Sequence, residues 1–175
     1  MRLLILFAAM TISPITLFDF TADMPDNAWQ VEDDRVMGGI SQGEFEITDK
    51  GYGHFYGYVT TESNGGFSSV QHPVNNPIQI GDATTVKIRV KGDGKRYQFR
   101  IKADQETYYS HQQYFDTTGE WQTIELPLAD FTAGWRGRQV DVPNFNADQI
   151  AYMRFLIGNK KKQNFSLLID KIWVE

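Results

Sequence analysis

The 175-residue chain contains no cysteine. That excludes disulfides, thiolate nucleophiles, CxxC redox pairs and cysteine-ligated metal or iron–sulfur centres. Histidine is nearly as scarce: His54, His72 and His111 stand far apart, so a histidine-rich metal centre lacks its ligands. Positive charge is also in deficit. Seventeen Lys and Arg against 22 Asp and Glu leave a net charge of −5 and a pI near 5.2. General nucleic-acid affinity rests on neutralising phosphates, so no nucleic-acid partner is expected. The apolar run Leu3–Met10 has eight residues, whereas a helix needs about 20 to cross a bilayer. No transmembrane span is expected. Helical periodicity is almost missing, and so are GxGxxG, the phosphate loop, Gly-x-Ser-x-Gly and His-Glu-x-x-His.

Two readings of the N-terminus stay open. Met1-Arg2 followed by Leu3–Met10 resembles the positive and apolar regions of a signal peptide. No Ala-x-Ala cleavage site follows, however, and Pro14 sits badly after Ser13. The other reading is a hydrophobic extension over residues 1–14, leading into a first buried strand, Ile15 to Phe20. A cytoplasmic and an exported location both remain possible destinations. Residues 15–175 are expected to form one domain, a size that suits about 100–200 residues.

Short β-branched and aromatic runs alternate with polar residues and end at Gly, Asn or Asp. Strands are expected over 15–20, 28–31, 44–48, 53–60, 66–71, 77–80, 84–91, 96–102, 106–115, 121–126, 149–157 and 165–174. This spacing, with no helical runs between, predicts an all-β sandwich or jelly roll. A single helical turn is expected near Leu128–Phe131, and Thr132 to Asp148 reads as a surface loop. Thr84–Lys102 reads as a hairpin closed by Asp93-Gly94, a favoured type I′ pair. That register opposes Val90 to Tyr97, Ile88 to Phe99 and Val86 to Ile101 on one apolar face. Its other face opposes Lys91 to Arg96, Arg89 to Gln98 and Lys87 to Arg100. Residues 87–102 hold seven Lys or Arg and one Asp, while residues 19–64 hold ten Asp or Glu and two Lys or Arg. Either these long side chains fan into water or pair with the acidic region, or the hairpin is a cationic sheet face that meets an acidic partner or anionic ligand.

Four groups of residues bear on function. Met37-Gly38-Gly39 and Asn64-Gly65-Gly66-Phe67 open no helix, so they supply tight turns or a close backbone approach, or a loop shaped to admit a ligand. Glu32, Asp33 and Asp34 offer oxygen ligands, but neighbours on a strand point to opposite faces, so a solvated or Arg-paired stretch is preferred to calcium. No catalytic constellation stands out, and neither a cofactor nor a metal is expected. Tyr108, Tyr109, Tyr114, Phe115 and Trp121 gather around His111, while Trp135 adjoins Arg136-Gly137-Arg138. Such aromatics suit core packing, sugar stacking or interface anchoring.

In order, Trp29-x-Val-x-Asp-Asp-Arg-Val-Met-Gly-Gly-Ile-Ser41, Phe55-x-Gly57, Asn64-Gly-Gly-Phe67 with Ser69-Val70, Gly92-Asp-Gly94 with Tyr97, Trp121 with Pro127, Phe131, Arg136-Gly-Arg138 and Ile169-Asp170 carry a family pattern. Over about residues 15–175 the chain resembles the mitochondrial complex I intermediate-associated protein 30 family. It departs at Gln71, where the pattern tends to show Arg, and at Arg35, which fills a slot associated with a smaller residue. The resemblance implies a galactose-binding-like jelly-roll β-sandwich, a fold shared with many carbohydrate-binding modules. It also implies a role like that of the mitochondrial member, an assembly factor for NADH:ubiquinone oxidoreductase. An Arg- and Ser-rich transit peptide is not evident, which suits a prokaryotic relative with another role. The candidate binding residues are Asp34, Arg35, Met37, Gly38, Gly39, Asn64, Gly65, Gly66, Phe67, Gln71, Tyr109, Trp135, Arg136 and Arg138, with no catalytic set. A non-catalytic module that holds a protein partner is the expected function. A carbohydrate-binding module with an aromatic-lined face is the alternative.

Overall fold

Along Thr85–Lys91 (β6), Val86, Ile88 and Val90 are fully buried and Lys87, Arg89 and Lys91 alternate with them. Arg96–Lys102 (β7) repeats the pattern, with Tyr97, Phe99 and Ile101 buried. Period-two alternation gives each strand one inner and one outer side. The computed structural model, which describes residues 13–175, places these two strands in different sheets. The apolar start Leu3–Met10 lies outside the described residues.

The remaining strands are Ile15–Asp19 (β1), Gln30–Asp33 (β2), Gln42–Ile47 (β3), Gly53–Val59 (β4), Ser68–Gln79 (β5), Ser110–Asp116 (β8), Trp121–Pro127 (β9), Thr132–Trp135 (β10), Arg138–Gln139 (β11), Gln149–Ile157 (β12) and Gln163–Val174 (β13). One sheet runs β3-β4-β13-β6-β9, with β1 also on β13; the other runs β11-β10-β8-β7-β12-β5-β2. The strand pairs are antiparallel. This is a jelly-roll β-sandwich of six and seven strands. Phe55, Phe165 and Leu167 from one sheet meet Phe99, Phe131 and Phe155 from the other in the core. Each such buried side chain contributes roughly 1.5–3 kcal/mol.

The expected Thr84–Lys102 hairpin does not form. Gly92–Lys95 instead carries the chain across from β6 to β7. Of the central pair only Gly94 has positive φ, so the type I′ geometry is absent. Asp93 turns inward, where its carboxylate accepts from Ser166 N–H at 2.9 Å and Tyr97 O–H at 3.0 Å. The alternation of Val86/Ile88/Val90 and Tyr97/Phe99/Ile101 fits two inner faces of a sandwich as well as one face of a hairpin. Splitting them avoids opposing Lys91 to Arg96 and Lys87 to Arg100, each of which would cost about 0.2–1 kcal/mol, although Arg89 now faces Lys171 and Arg100 faces Arg154. Lys87 now pairs with Glu125 at 3.0 Å and with Glu175, and Arg89 pairs with Asp170 at 2.9 Å. There is no single cationic face.

Three further expectations change. Segments 66–71 and 77–80 merge into β5, and 28–31 shifts to β2. Thr132–Asp148 is not wholly irregular, because β10 and β11 form a small hairpin. Its tip, Arg136-Gly137, has φ of 49° and 75°, the type I′ requirement met where it was not expected. Leu128–Asp130 is a 3-10 turn, as the sequence suggested.

Candidate functional site

The two glycine-rich loops meet, and a carboxylate joins them. Asp34 opens the 3-10 turn Asp34–Met37 that follows β2, and its side chain is fully buried. Oδ1 accepts Ser41 N–H at 3.1 Å. Oδ2 accepts Ser41 Oγ–H at 2.5 Å, Gly66 N–H at 2.6 Å and Phe67 N–H at 3.2 Å. Four donors therefore surround one charge. Burial pushes its pKa up, but the bonds from Ser41, Gly66 and Phe67 outweigh that and hold it below the ordinary aspartate value. The neighbouring Asp33 carboxylate accepts from Gly43 N–H at 3.1 Å and Ser68 Oγ–H at 2.6 Å. Glu32 points the other way and pairs with Arg154 at 2.8 Å. The acidic triplet is thus divided among three sets of partners. Among the described residues no group of three or more His, Asp or Glu side chains gathers to hold a metal ion.

Glycine is demanded here by space and by backbone. Gly38 ends the turn at φ 87°, its N–H donating to Arg35 C=O at 3.0 Å. At Gly39 a Cβ would come within 2.2 Å of Asp34 Oδ1 and 2.8 Å of Gly65 Cα. The close approach leaves no room for a side chain between the loops. Beside exposed Arg35, the turn and the segment after it present three apolar side chains outward: Val36, Met37 and Ile40 are 73%, 49% and 50% exposed. Exposed single apolar residues are ordinary, but three on one anchored turn form a patch. Val36 and Ile40 were not among the expected binding residues, although the run Val-Met-Gly-Gly-Ile around a turn was the available signal.

Of the fourteen candidates, Asp34, Gly39, Gly65, Gly66 and Phe67 build this junction, and Arg35, Met37, Gly38 and Asn64 lie on its exposed rim. Trp135, Arg136 and Arg138 do not join them. They sit on the β10–β11 hairpin, at the opposite edge of the seven-stranded sheet from β2. There Arg136 lies over the Trp135 ring at 4.7 Å and Tyr108 meets it edge-on at 5.7 Å. Tyr109 stands edge-on to Tyr108 at 5.2 Å. The aromatic cluster expected around His111 forms in part: Tyr109 stands edge-on to His111 at 5.5 Å and Tyr108 joins it, but the other three rings lie elsewhere. Phe115 is core, Tyr114 stacks under Arg96 at 4.0 Å, and Trp121 lies in the other sheet against Tyr52.

Gln71 belongs to a third region, the outer side of the seven-stranded sheet. Its Oε1 accepts from Tyr152 O–H at 2.7 Å and from Arg154. An arginine at position 71 would instead face Arg154 directly across the ladder. Register aligns Gln71, Arg154, Arg100, Gln112 and Thr132 in one row across five strands. Sequence reading put Arg100 on a cationic face but missed Arg154 and Gln112 beside it, because only strand order brings the three together. Two shallow clefts, each about 360 Å³, share no lining residue with the loop junction or with this row.

The profile of the family described as complex I intermediate-associated protein 30 matches residues 18–169. Solved structures share the fold at low identity. A family 11 carbohydrate-binding module from Clostridium thermocellum, in complex with a beta-1,3-1,4-mixed-linked tetrasaccharide, superposes with TM-score 0.66 at 16% identity, covering 94% of this chain and 96% of that one. A family 29 carbohydrate-binding module gives 0.55 at 10%, covering 94% and 92%. An agarase, AgWH50C, gives 0.62 at 12% over 93% of this chain and 24% of the enzyme.

Proposed function

The chain belongs to the complex I intermediate-associated protein 30 family, and on that footing we propose that it is a non-catalytic binding module that docks a partner protein through the apolar turn at Val36, Met37 and Ile40. One observation carries this reading. A fully buried carboxylate with four donors fixes a turn whose outward residues are apolar and up to 73% exposed. Rigid presentation of apolar anchors lowers the ordering cost of association. Family membership favours a protein partner, in the manner of an assembly factor. Affinity capture from the native host tests the reading. Val36→Glu with Met37→Glu is expected to abolish recovery of a defined partner while leaving the melting temperature within about 2 °C, as surface changes do. Arg136→Ala with Arg138→Ala, at the far edge of the sheet, is expected to leave recovery unchanged. Recovery that survives the first pair overturns the reading.

A second reading is carbohydrate binding, and the polar row Gln71–Arg154–Arg100–Gln112–Thr132 favours it. The site would be this row, with the exposed rings of Tyr108 and Trp135 at the β10–β11 end of the same sheet. The likeness to carbohydrate-binding modules supports the fold on which such a face stands.

A further inference from the structure

The outer side of the seven-stranded sheet holds a charge that no carboxylate among the described residues answers. Arg154 is well provided: Glu32 Oε2 accepts from Nη2 at 2.8 Å, and Gln71 and Tyr152 also receive it. Arg100, directly across the ladder from Arg154, is different. Its Nε and Nη2 both donate to Gln98 Oε1, at 2.9 and 2.6 Å. Among the described residues no carboxylate pairs with it, and its Nη1 has no partner. Burial, with the like charge of Arg154 beside it, pushes its pKa down to about 10. On its other side stands Gln112, whose Oε1 is buried without a hydrogen-bond partner. Lys102, the next outward-facing residue on β7, donates to the carbonyls of Thr107 and Gln105 and lies over the Tyr152 ring at 5.0 Å, with no carboxylate partner among the described residues.

A half-buried guanidinium without an anion is unfavourable, and so is a buried amide without a partner. Two such groups, adjacent in one row, describe a surface missing its complement. The complement is an anion that a planar fork can hold by two parallel bonds, as it holds a carboxylate. It also carries hydroxyls for the amide side chains. The row spans four strand spacings, about 19 Å at ~4.8 Å each, so the ligand is elongated. A peptide adding to a sheet uses an open edge, but β7 and β12 are central strands whose backbone groups are in the ladder. Side chains alone do the recognising, which suits a hydroxyl-rich chain.

We propose that Arg100 anchors a site for a linear acidic saccharide, its guanidinium receiving a uronate carboxylate while the polar row from Gln71 to Thr132 carries the rest of the chain. This rests on the second reading above, that the row holds carbohydrate, and it names the class.

Titration calorimetry of the full chain with tetragalacturonate, a neutral mixed-linkage glucan tetrasaccharide and monomeric galacturonate tests it. Tetragalacturonate is expected to bind at least tenfold more tightly than either of the others, and to weaken as salt rises. Arg100→Gln is expected to lose at least tenfold in that affinity, Arg100→Lys to retain part of it, and Gln112→Ala to weaken it. The melting temperature of Arg100→Gln is expected to stay level or rise, because an unanswered charge is removed; a residue with a structural role would lower it. Equal binding of neutral and acidic tetrasaccharides, indifferent to Arg100→Gln, overturns the inference and leaves the carbohydrate reading standing. Monomer binding as tight as the oligomer overturns the linear-chain assignment. Silence with all three sugars overturns both.

Discussion

Replacing Asp34 by Asn tests the junction most sharply, because the side chain keeps its shape and loses its charge. The amide oxygen is best placed where Oδ2 was, since three of the four donors point there: Ser41 Oγ–H, Gly66 N–H and Phe67 N–H. The amide nitrogen then faces Ser41 N–H, once held at 3.1 Å. One bond becomes a donor–donor contact, and three lose their charge assistance. A bond to a charged group is worth about 1.5–3 kcal/mol and a buried orphan donor costs about 1–3 kcal/mol, so about 2–4 kcal/mol is expected overall. That corresponds to a fall in melting temperature of roughly 5–15 °C for a chain of this length. Calorimetry or chemical denaturation at neutral pH reads it directly. The pH dependence gives a second handle. The folded pKa of Asp34 is lowered, so its contribution is present above the unfolded aspartate value and is lost as pH falls through the folded one. The gap between wild type and Asp34→Asn should therefore begin to narrow below about pH 4 and close as pH falls through the lower folded value. An unchanged melting temperature at neutral pH, or a gap that persists in acid, refutes the charged junction.

Gly39→Ala should cost at least about 2 kcal/mol, because the new Cβ meets a carboxylate and backbone rather than a movable side-chain end; a denaturation midpoint equal to wild type counts against the close packing of the loops. His72 is stacked on Trp29 at 5.3 Å and donates from Nδ1 to Ala28 C=O at 2.6 Å. Burial lowers its pKa, against the smaller opposite effect of that bond. Its neutral form is favoured on folding, so stability should decline as pH falls below about 6.5, and His72→Gln should flatten that slope in melting scans between pH 7 and 5. Ser41→Ala removes the hydroxyl that bonds Asp34 and receives Thr60 N–H at 3.1 Å, and about 2 kcal/mol should go with it in the same measurement.

The fold was legible because its cues are local. Period-two alternation in β6, β7 and β13 identifies strands and their buried sides without knowledge of any neighbour. Strand pairing is not local. Val86/Ile88/Val90 and Tyr97/Phe99/Ile101 satisfy a hairpin and a two-sheet core equally, and the pattern cannot distinguish them. The deciding contact joins Asp93 to Ser166, 73 residues apart. Turn chemistry misled for a related reason. Asp93-Gly94 has the composition of a type I′ turn, but the Asp93 carboxylate had better partners in β13, whereas Arg136-Gly137 adopts the geometry with a less favoured first residue. At the junction, the glycine pairs and Asp34 were readable as special positions. That they are special to one another was not, because 32 residues separate Asp34 from Gly66.

Outer-face charge divides the two sheets in a way stability alone does not account for. On the six-stranded sheet three cations have carboxylates: Lys87 has Glu125 and Glu175, Arg89 has Asp170, and Lys171 has Asp19 at 3.5 Å, while Lys91 pairs with none among the described residues. On the seven-stranded sheet Arg154 has Glu32, but among the described residues Arg100 has an amide, and Lys102 has carbonyls and the Tyr152 ring, and neither has a carboxylate. Both Arg100 and Lys102 have lowered pKa values, from burial first and from Arg154 second. A chain with a net charge of −5 does not lack carboxylates to place there. If this face served only as a wall of the sandwich, a neutral residue at position 100 would pack as well and spare the desolvation of a lone charge. The apolar turn and the cationic row are separate surfaces. One is built by a charge withdrawn into the protein to fix apolar residues outside, and the other by a guanidinium, Arg100, left on the face with no carboxylate partner among the described residues.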